Sequence, residues 1–119
     1  MHGDMVYFEL GIDAVEETLR FYRTLFDWRI TESHLNDTRY FLIETPGKKI
    51  GGGFDAKLKP KAATVMLYIA CDDIEKILSQ IATFKGAAII KGKTLISDAY
   101  GKYAIIKDPS GNLVGLQED

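Results

Sequence analysis

The feature that most limits what this chain can become is an order of patterns that occurs twice. A short run rich in β-formers, "MVYFELGI", leads into a helical stretch, "AVEETLRFYRTLFDW", and three strand-like runs follow: "WRITES", "TRYFLIE" and "KKIGGGF". About sixty residues later the order restarts with "TVMLYIA", the helical "IEKILSQIATF", and then "AAIIKG", "YAIIKD" and "NLVGLQE". Phe8, Leu10 and Asp13 correspond to Leu67, Ile69 and Asp72, with a one-residue slip tolerated at the helix cap. The pattern predicts an α+β protein of two βαβββ modules, about 5–55 and 64–118, within a single domain spanning 1–119. The polar, lysine-rich "DAKLKPKA" marks the linker, about 56–63. A ferredoxin-like sandwich also mixes two helices with a sheet, but it needs about four strands where this chain offers about eight.

The local signals agree with this order. Asp13 stands where an N-cap belongs, with Glu16 three residues on as a capping-box partner, and Val15, Leu19, Tyr22, Leu25 and Phe26 share one helical face. Asp72 and Asp73 are placed to cap the second helix, whose apolar face is Ile74, Ile77, Leu78, Ile81 and Phe84, with Gly86 closing it as a C′ residue. "TPGK" reads as the turn between the third and fourth strands. In "DPSGN", Pro109 and Gly111 set the turn before the last strand.

Composition narrows the function classes. With 119 residues, 46% of them apolar, the chain has enough material for one core. A formal charge of −2 argues against nucleic acid or an anionic membrane as partner, since both demand clustered basic charge. No apolar run approaches a membrane span, and "MHGDM" lacks the layout of a signal peptide. One cysteine, Cys71, cannot form an internal disulfide or a thiolate metal site. Its acidic neighbours Asp72 and Asp73 disfavour a thiolate nucleophile, and the expected location is the cytoplasm. The chain holds no Ser-His-Asp set, Walker loop or dinucleotide fingerprint, and "IGGGF" is no phosphate cradle because no helix follows it.

"ELGIDAVEETLRFYRTLFDW", "YIACDDIEKIL", "IGGGF" and the closing "DPSGNLVGLQ" together resemble the vicinal oxygen chelate superfamily, the group of glyoxalases, bleomycin-resistance proteins and ring-cleaving dioxygenases. The resemblance spans nearly the whole chain. It implies mixed sheets curled around a shared cleft, commonly in a homodimer. It also implies, for the metalloenzymes of the group, about four His, Glu or Gln ligands, one on each of four strands. Carried over residue by residue, those positions fall on Tyr7, within Gly51 to Gly53, on Met66 and on Gly115, none of them a usual metal ligand. The two histidines, His2 and His34, lie off these positions. A set of Glu9, Glu44 and aspartates could hold a hard cation, but the spacing does not gather them. No cofactor is therefore expected, and a divalent metal is disfavoured.

Strand alternation places Val6, Phe8, Leu10 and Ile12 on the helix-covered face and Tyr7, Glu9 and Gly11 on the other. In the last strand Val114 and Leu116 face the core, while Leu113, Gly115 and Gln117 face away. The candidate ligand-binding residues are thus Tyr7, Glu9, Met66, Tyr68 and Gly115, with Tyr100 in the "DAYGKY" loop as a closing residue. Trp28 reads as core or interface. Glu9 is the one acid on the inner face and the catalytic candidate, as a general base or as an anchor for a cationic or hydroxyl-bearing ligand. The expected function is a metal-independent, glyoxalase-like protein holding a small planar or amphipathic ligand in the inter-sheet cleft. The alternative is an enzyme of the same superfamily (lyase, isomerase or dioxygenase) with a non-standard metal set or a Glu9-based acid/base site.

Overall fold

A computed structural model describes residues 2, 5–33, 39–58 and 66–119. The expected placement of His34, and most of the linker, lies outside the described residues. The chain divides into two compact units, Met1–Pro60 and Lys61–Asp119. Among the described residues no helix is long and apolar enough to cross a membrane.

The first unit runs β1 (Tyr7–Gly11), α1 (Val15–Phe26), β2 (Arg29–Ser33), β3 (Tyr40–Glu44) and β4 (Gly51–Asp55). Its sheet has the order β1-β4-β3-β2: β1 lies parallel to β4, and the other pairs are antiparallel. The second unit repeats this with β5 (Leu67–Ala70), α2 (Ile74–Gln80), a 3₁₀ turn over Ile81–Thr83, β6 (Ala88–Ser97), β7 (Gly101–Lys107) and β8 (Leu113–Glu118), in the order β5-β8-β7-β6. Both sheets are open and mixed, and the element order is the expected βαβββ twice.

One face of each sheet is buried against its helix. In the first unit Leu19, Phe21, Tyr22 and Phe26 of α1 meet Phe41, Ile43 and Phe54. Tyr22 stacks on Trp28 with ring centroids 4.6 Å apart, which settles Trp28 as core. In the second unit Ile74, Ile77, Ile81 and Phe84 are buried, as are Ala104, Ile106, Val114 and Leu116. Burying such side chains supplies the main driving force for each unit, at roughly 1.5–3 kcal/mol per large apolar residue.

Several local expectations change. Ala14, not Asp13, is the N-cap of α1 and makes no side-chain cap bond, while Glu16 turns outward to Arg39, 3.9 Å away. Leu25 and Leu78 are only half-buried, and Phe21, not counted on the apolar face of α1, is fully buried. The second helix relaxes into the 3₁₀ turn, so Gly86 (φ 89°) serves the turn after it and is not the C′ residue of α2. Of the two capping aspartates, Asp73 accepts from the Lys76 N–H. The first N–H of α2, on Ile74, is taken by Glu118 Oε1 at 2.7 Å, a partner from the far end of the unit.

The turn between β7 and β8 is built on Asp108. Its Oδ1 accepts the N–H groups of Ser110 and Asn112 at 2.9 and 2.8 Å, and its Oδ2 accepts from Asn112 Nδ2 at 2.8 Å. Asp108 is fully buried, so these bonds replace the water that its carboxylate gives up.

Candidate functional site

The face of each sheet opposite its helix carries the candidate residues of the strands: Tyr7 and Glu9 in the first unit, Tyr68 and Gly115 in the second. In the first unit, pairing aligns Tyr7 with Gly51 and Glu44, and Glu9 with Gly53 and Leu42. Tyr40 and Leu42 alternate on β3 with the buried Phe41 and Ile43, which puts Tyr40 on the same face as Glu9. Tyr40 starts on β3 and crosses β4 to reach β1. Its hydroxyl donates to Glu9 Oε2 at 2.7 Å, and its oxygen lies 2.7 Å from that of Tyr7. A phenol has one proton, so with that of Tyr40 committed to Glu9, Tyr7 donates to Tyr40. The result is an oriented chain, Tyr7 to Tyr40 to Glu9. Burial, then the bonds with Tyr7 and Glu9, push the Tyr40 phenol well above the ordinary tyrosine range.

Gly53 makes this crossing possible. A Cβ at that position would meet the hydroxyl and outer ring atoms of Tyr40. On the opposite face, a Cβ at Gly52 would meet the Phe8 ring at 2.7 Å. Two consecutive glycines of "IGGGF" thus admit one aromatic ring on each side of the same strand.

The second unit solves the same problem from the other neighbour. Gly115 pairs with Tyr68 on one side and Ile105 on the other, as Gly53 pairs with Glu9 and Leu42. Here the covering ring belongs to Tyr68, and a Cβ at Gly115 would run into it. Gly115 was expected to face a ligand, but it is buried under that ring and offers no surface. Tyr68 itself is 53% exposed.

The remaining candidates fall as follows. Tyr7 is 47% exposed and Glu9 is exposed. Met66 is half-buried just ahead of β5. Tyr100 stands 69% exposed in the turn between β6 and β7, held by its backbone: its N–H donates to Ser97 Oγ and its carbonyl accepts from Gln117 Nε2. Burial raises the Cys71 thiol first, and Glu118, Asp72 and Asp73 add to it, so the thiol form dominates. Cys71 lines an open depression of about 390 Å³ with Ala70, Asp72, Gln117 and Asp119. Tyr40 and Gly53 are the residues that strand alternation alone did not single out. The run "TRYFLIE" carries the signal for Tyr40, because Tyr40, Leu42 and Glu44 share one face, but not the identity of the strand across which it reaches.

The four strand positions that the resemblance would give to metal ligands present a phenol (Tyr7), glycines (Gly51 to Gly53), a thioether (Met66) and a glycine under a ring (Gly115), none of them a usual donor to a catalytic divalent ion. Among the described residues, no three His, Cys, Asp or Glu side chains gather where one ion could bind them.

Two open βαβββ sheets, each bearing a helix on one face, define an α+β protein of the glyoxalase type. The Glyoxalase/Bleomycin resistance protein/Dioxygenase superfamily profile matches residues 5–116, and the chain belongs to that superfamily. No curated protein is significantly similar to it in sequence. Among solved structures it is similar to TnmS3, an antibiotic binding protein from Streptomyces sp. CB03234 (19% identity, 99% of this chain and 98% of that one, TM-score 0.71). It is also similar to a glyoxalase/bleomycin resistance protein/dioxygenase family enzyme from Burkholderia phytofirmans PsJN (19% identity, 97% and 98%, TM-score 0.72). A third is the E126Q mutant of the fosfomycin resistance protein FosX from Listeria monocytogenes, complexed with Mn(II) and dihydroxypropylphosphonic acid (12% identity, 99% and 93%, TM-score 0.73). At these identities the likeness concerns the fold.

Proposed function

We propose that this chain is a metal-independent, glyoxalase-like binding protein that holds a small planar or amphipathic ligand against the helix-free faces of its sheets. The observation that carries this reading is that tyrosine rings fill the gaps left by glycines on β4 and β8. Tyr40 covers Gly53, and Tyr68 covers Gly115. What these faces then present is ring surface and hydroxyl oxygen, which suits a ligand with an apolar body and a few polar edges. The antibiotic-binding relative supports the same class of function. We include in this reading a cytoplasmic homodimer, of which sedimentation of the purified protein tests the dimer.

The protein is exposed in turn to Mn, Zn, Ni and Fe, desalted, and analysed for metal. No stoichiometric retention is expected, and tight uptake that disappears in Glu9→Gln overturns the reading. In a thermal-shift screen of planar and amphipathic compounds, a stabilisation lost in Tyr68→Ala places Tyr68 at the ligand. An unchanged shift removes it.

The Tyr7–Tyr40–Glu9 chain favours a second reading, an enzyme of the same superfamily with Glu9 as terminal base. In that case a proton accepted at Tyr7 is matched by one passed from Tyr7 to Tyr40 and one from Tyr40 to Glu9. Multiple turnovers that cease in Glu9→Gln would select it over stoichiometric binding.

A further inference from the structure

The direction of the hydrogen-bond chain in the first unit has a chemical consequence for what its exposed face can hold. Glu9 Oε2 accepts from Tyr40, and the two phenolic oxygens are in contact, so both phenolic protons are already spent inside the chain. What it shows to solvent is acceptor only: the lone pairs of the half-exposed Tyr7 oxygen and the carboxylate of the exposed Glu9. Tyr40 does not easily give up its proton to change this polarity, because burial and its two partners hold it. The charge of the face has the same sign. Among the described strand residues, pairing places Glu9, Glu44 and Asp55 on it with one cation, Arg29, and Arg29 lies 4.0 Å from Glu44. Beside Glu9, in register across Gly53, stands Leu42, 47% exposed. The Tyr7 ring adds a π surface within the same patch.

We infer that the helix-free face of the first sheet recognises an organic cation, an N–H-bearing ammonium or amidinium on an apolar or aromatic skeleton, with Glu9 as counter-ion and Tyr7 and Leu42 as the apolar seat. The inference rests on the ligand-binding reading and adds the ligand's charge to it. An anion such as a phosphonate meets the Glu9 carboxylate and acceptor oxygen at this seat, and the cation of the face, Arg29, stands away from it beside Glu44. That separates this face from the use its FosX relative makes of the same fold.

The test is a near-isosteric series on the unaltered protein: benzamidine, benzamide and benzoate, which are cationic, neutral and anionic at neutral pH. Binding is followed by amide chemical shifts. The benzamidinium ion should move the resonances of Tyr7, Glu9, Tyr40 and Leu42 and bind about tenfold more tightly than benzoate, since one charge is attracted and the other repelled. In Glu9→Gln the preference should collapse, and in the unaltered protein it should shrink with added salt. Equal binding of all three compounds overturns the choice of a cation while leaving the planar-ligand reading intact. Preferential binding of benzoate, shifts confined to the second unit, or no binding at all overturns the inference. In those cases the Tyr68→Ala screen separately decides the broader reading.

Discussion

Replacing Gly53 with alanine tests most directly how the candidate face is assembled. The three atoms nearest to a Cβ at that position are the hydroxyl, Cζ and Cε2 of Tyr40. These form the far end of a side chain, which yields more cheaply than backbone, so the ring should swing off β4 while the sheet keeps its pairing. The loss is the Tyr40–Glu9 bond. A hydrogen bond to a charged group is worth about 1.5–3 kcal/mol, and the lower end applies because Glu9 is exposed. Removing a glycine from a strand interior returns roughly 0.5–1 kcal/mol. The net destabilisation is then about 0.5–1 kcal/mol, or roughly 2–6 °C in Tm for a chain of this size.

The stronger readout is titration. The folded Tyr40 phenol sits above its ordinary value, so its contribution to stability is complete below about pH 10, the unfolded phenol pKa. That contribution fades as pH climbs through the folded value. Phenolate absorbance at about pH 11 should therefore count one more ionised tyrosine in Gly53→Ala than in the wild type, out of the six in the chain. Tyr40→Phe, which removes the resistant phenol itself, should give the wild-type count. If Gly53→Ala ionises no more tyrosines than the wild type, Tyr40 is not held across β4 and the account of this face fails.

Three further outcomes follow from the packing. Asp108→Ala removes three hydrogen bonds within a buried turn, those from the Asn112 side chain and from the N–H groups of Ser110 and Asn112, and it should cost about 2–4 kcal/mol in urea unfolding. Glu118 is held below the ordinary carboxylate range first by the Ile74 N–H and then by Lys93 and Lys102. A depressed folded pKa stabilises above the unfolded value and is lost as pH falls through the folded one. Melting curves of Glu118→Gln should therefore lie below the wild type at neutral pH and converge with it in acid. Asp27 ends α1 in the left-handed region (φ 56°), so Asp27→Gly should raise stability by about 1 kcal/mol, read as an increase in Tm.

Much of the fold was legible because its causes are local. The spacing of Leu19, Tyr22 and Phe26, and of Ile74, Ile77 and Ile81, marks a buried helix face at any position in a chain. Val114 and Leu116 alternate with Gly115 as strand geometry requires. The caps were less legible, because competing partners decide them: Glu118, more than forty residues away, takes the Ile74 N–H beside Asp73. The candidate site was legible in half. Tyr7 and Glu9 could be placed on one face by alternation, and the glycines at residues 53 and 115 could be recognised as gaps.

By itself, then, the sequence determined the two βαβββ units and their cores, since periodicity and residue chemistry are properties of short stretches. Only the tertiary structure decided what fills the gaps. Strand pairing sets Gly53 between β1 and β3 and Gly115 between β5 and β7, so each missing side chain becomes room for a ring from a neighbouring strand. In one unit that ring is Tyr40, which reaches Glu9, and in the other it is Tyr68. Which neighbour supplies the ring depends on register between segments distant in sequence, and no local pattern encodes it.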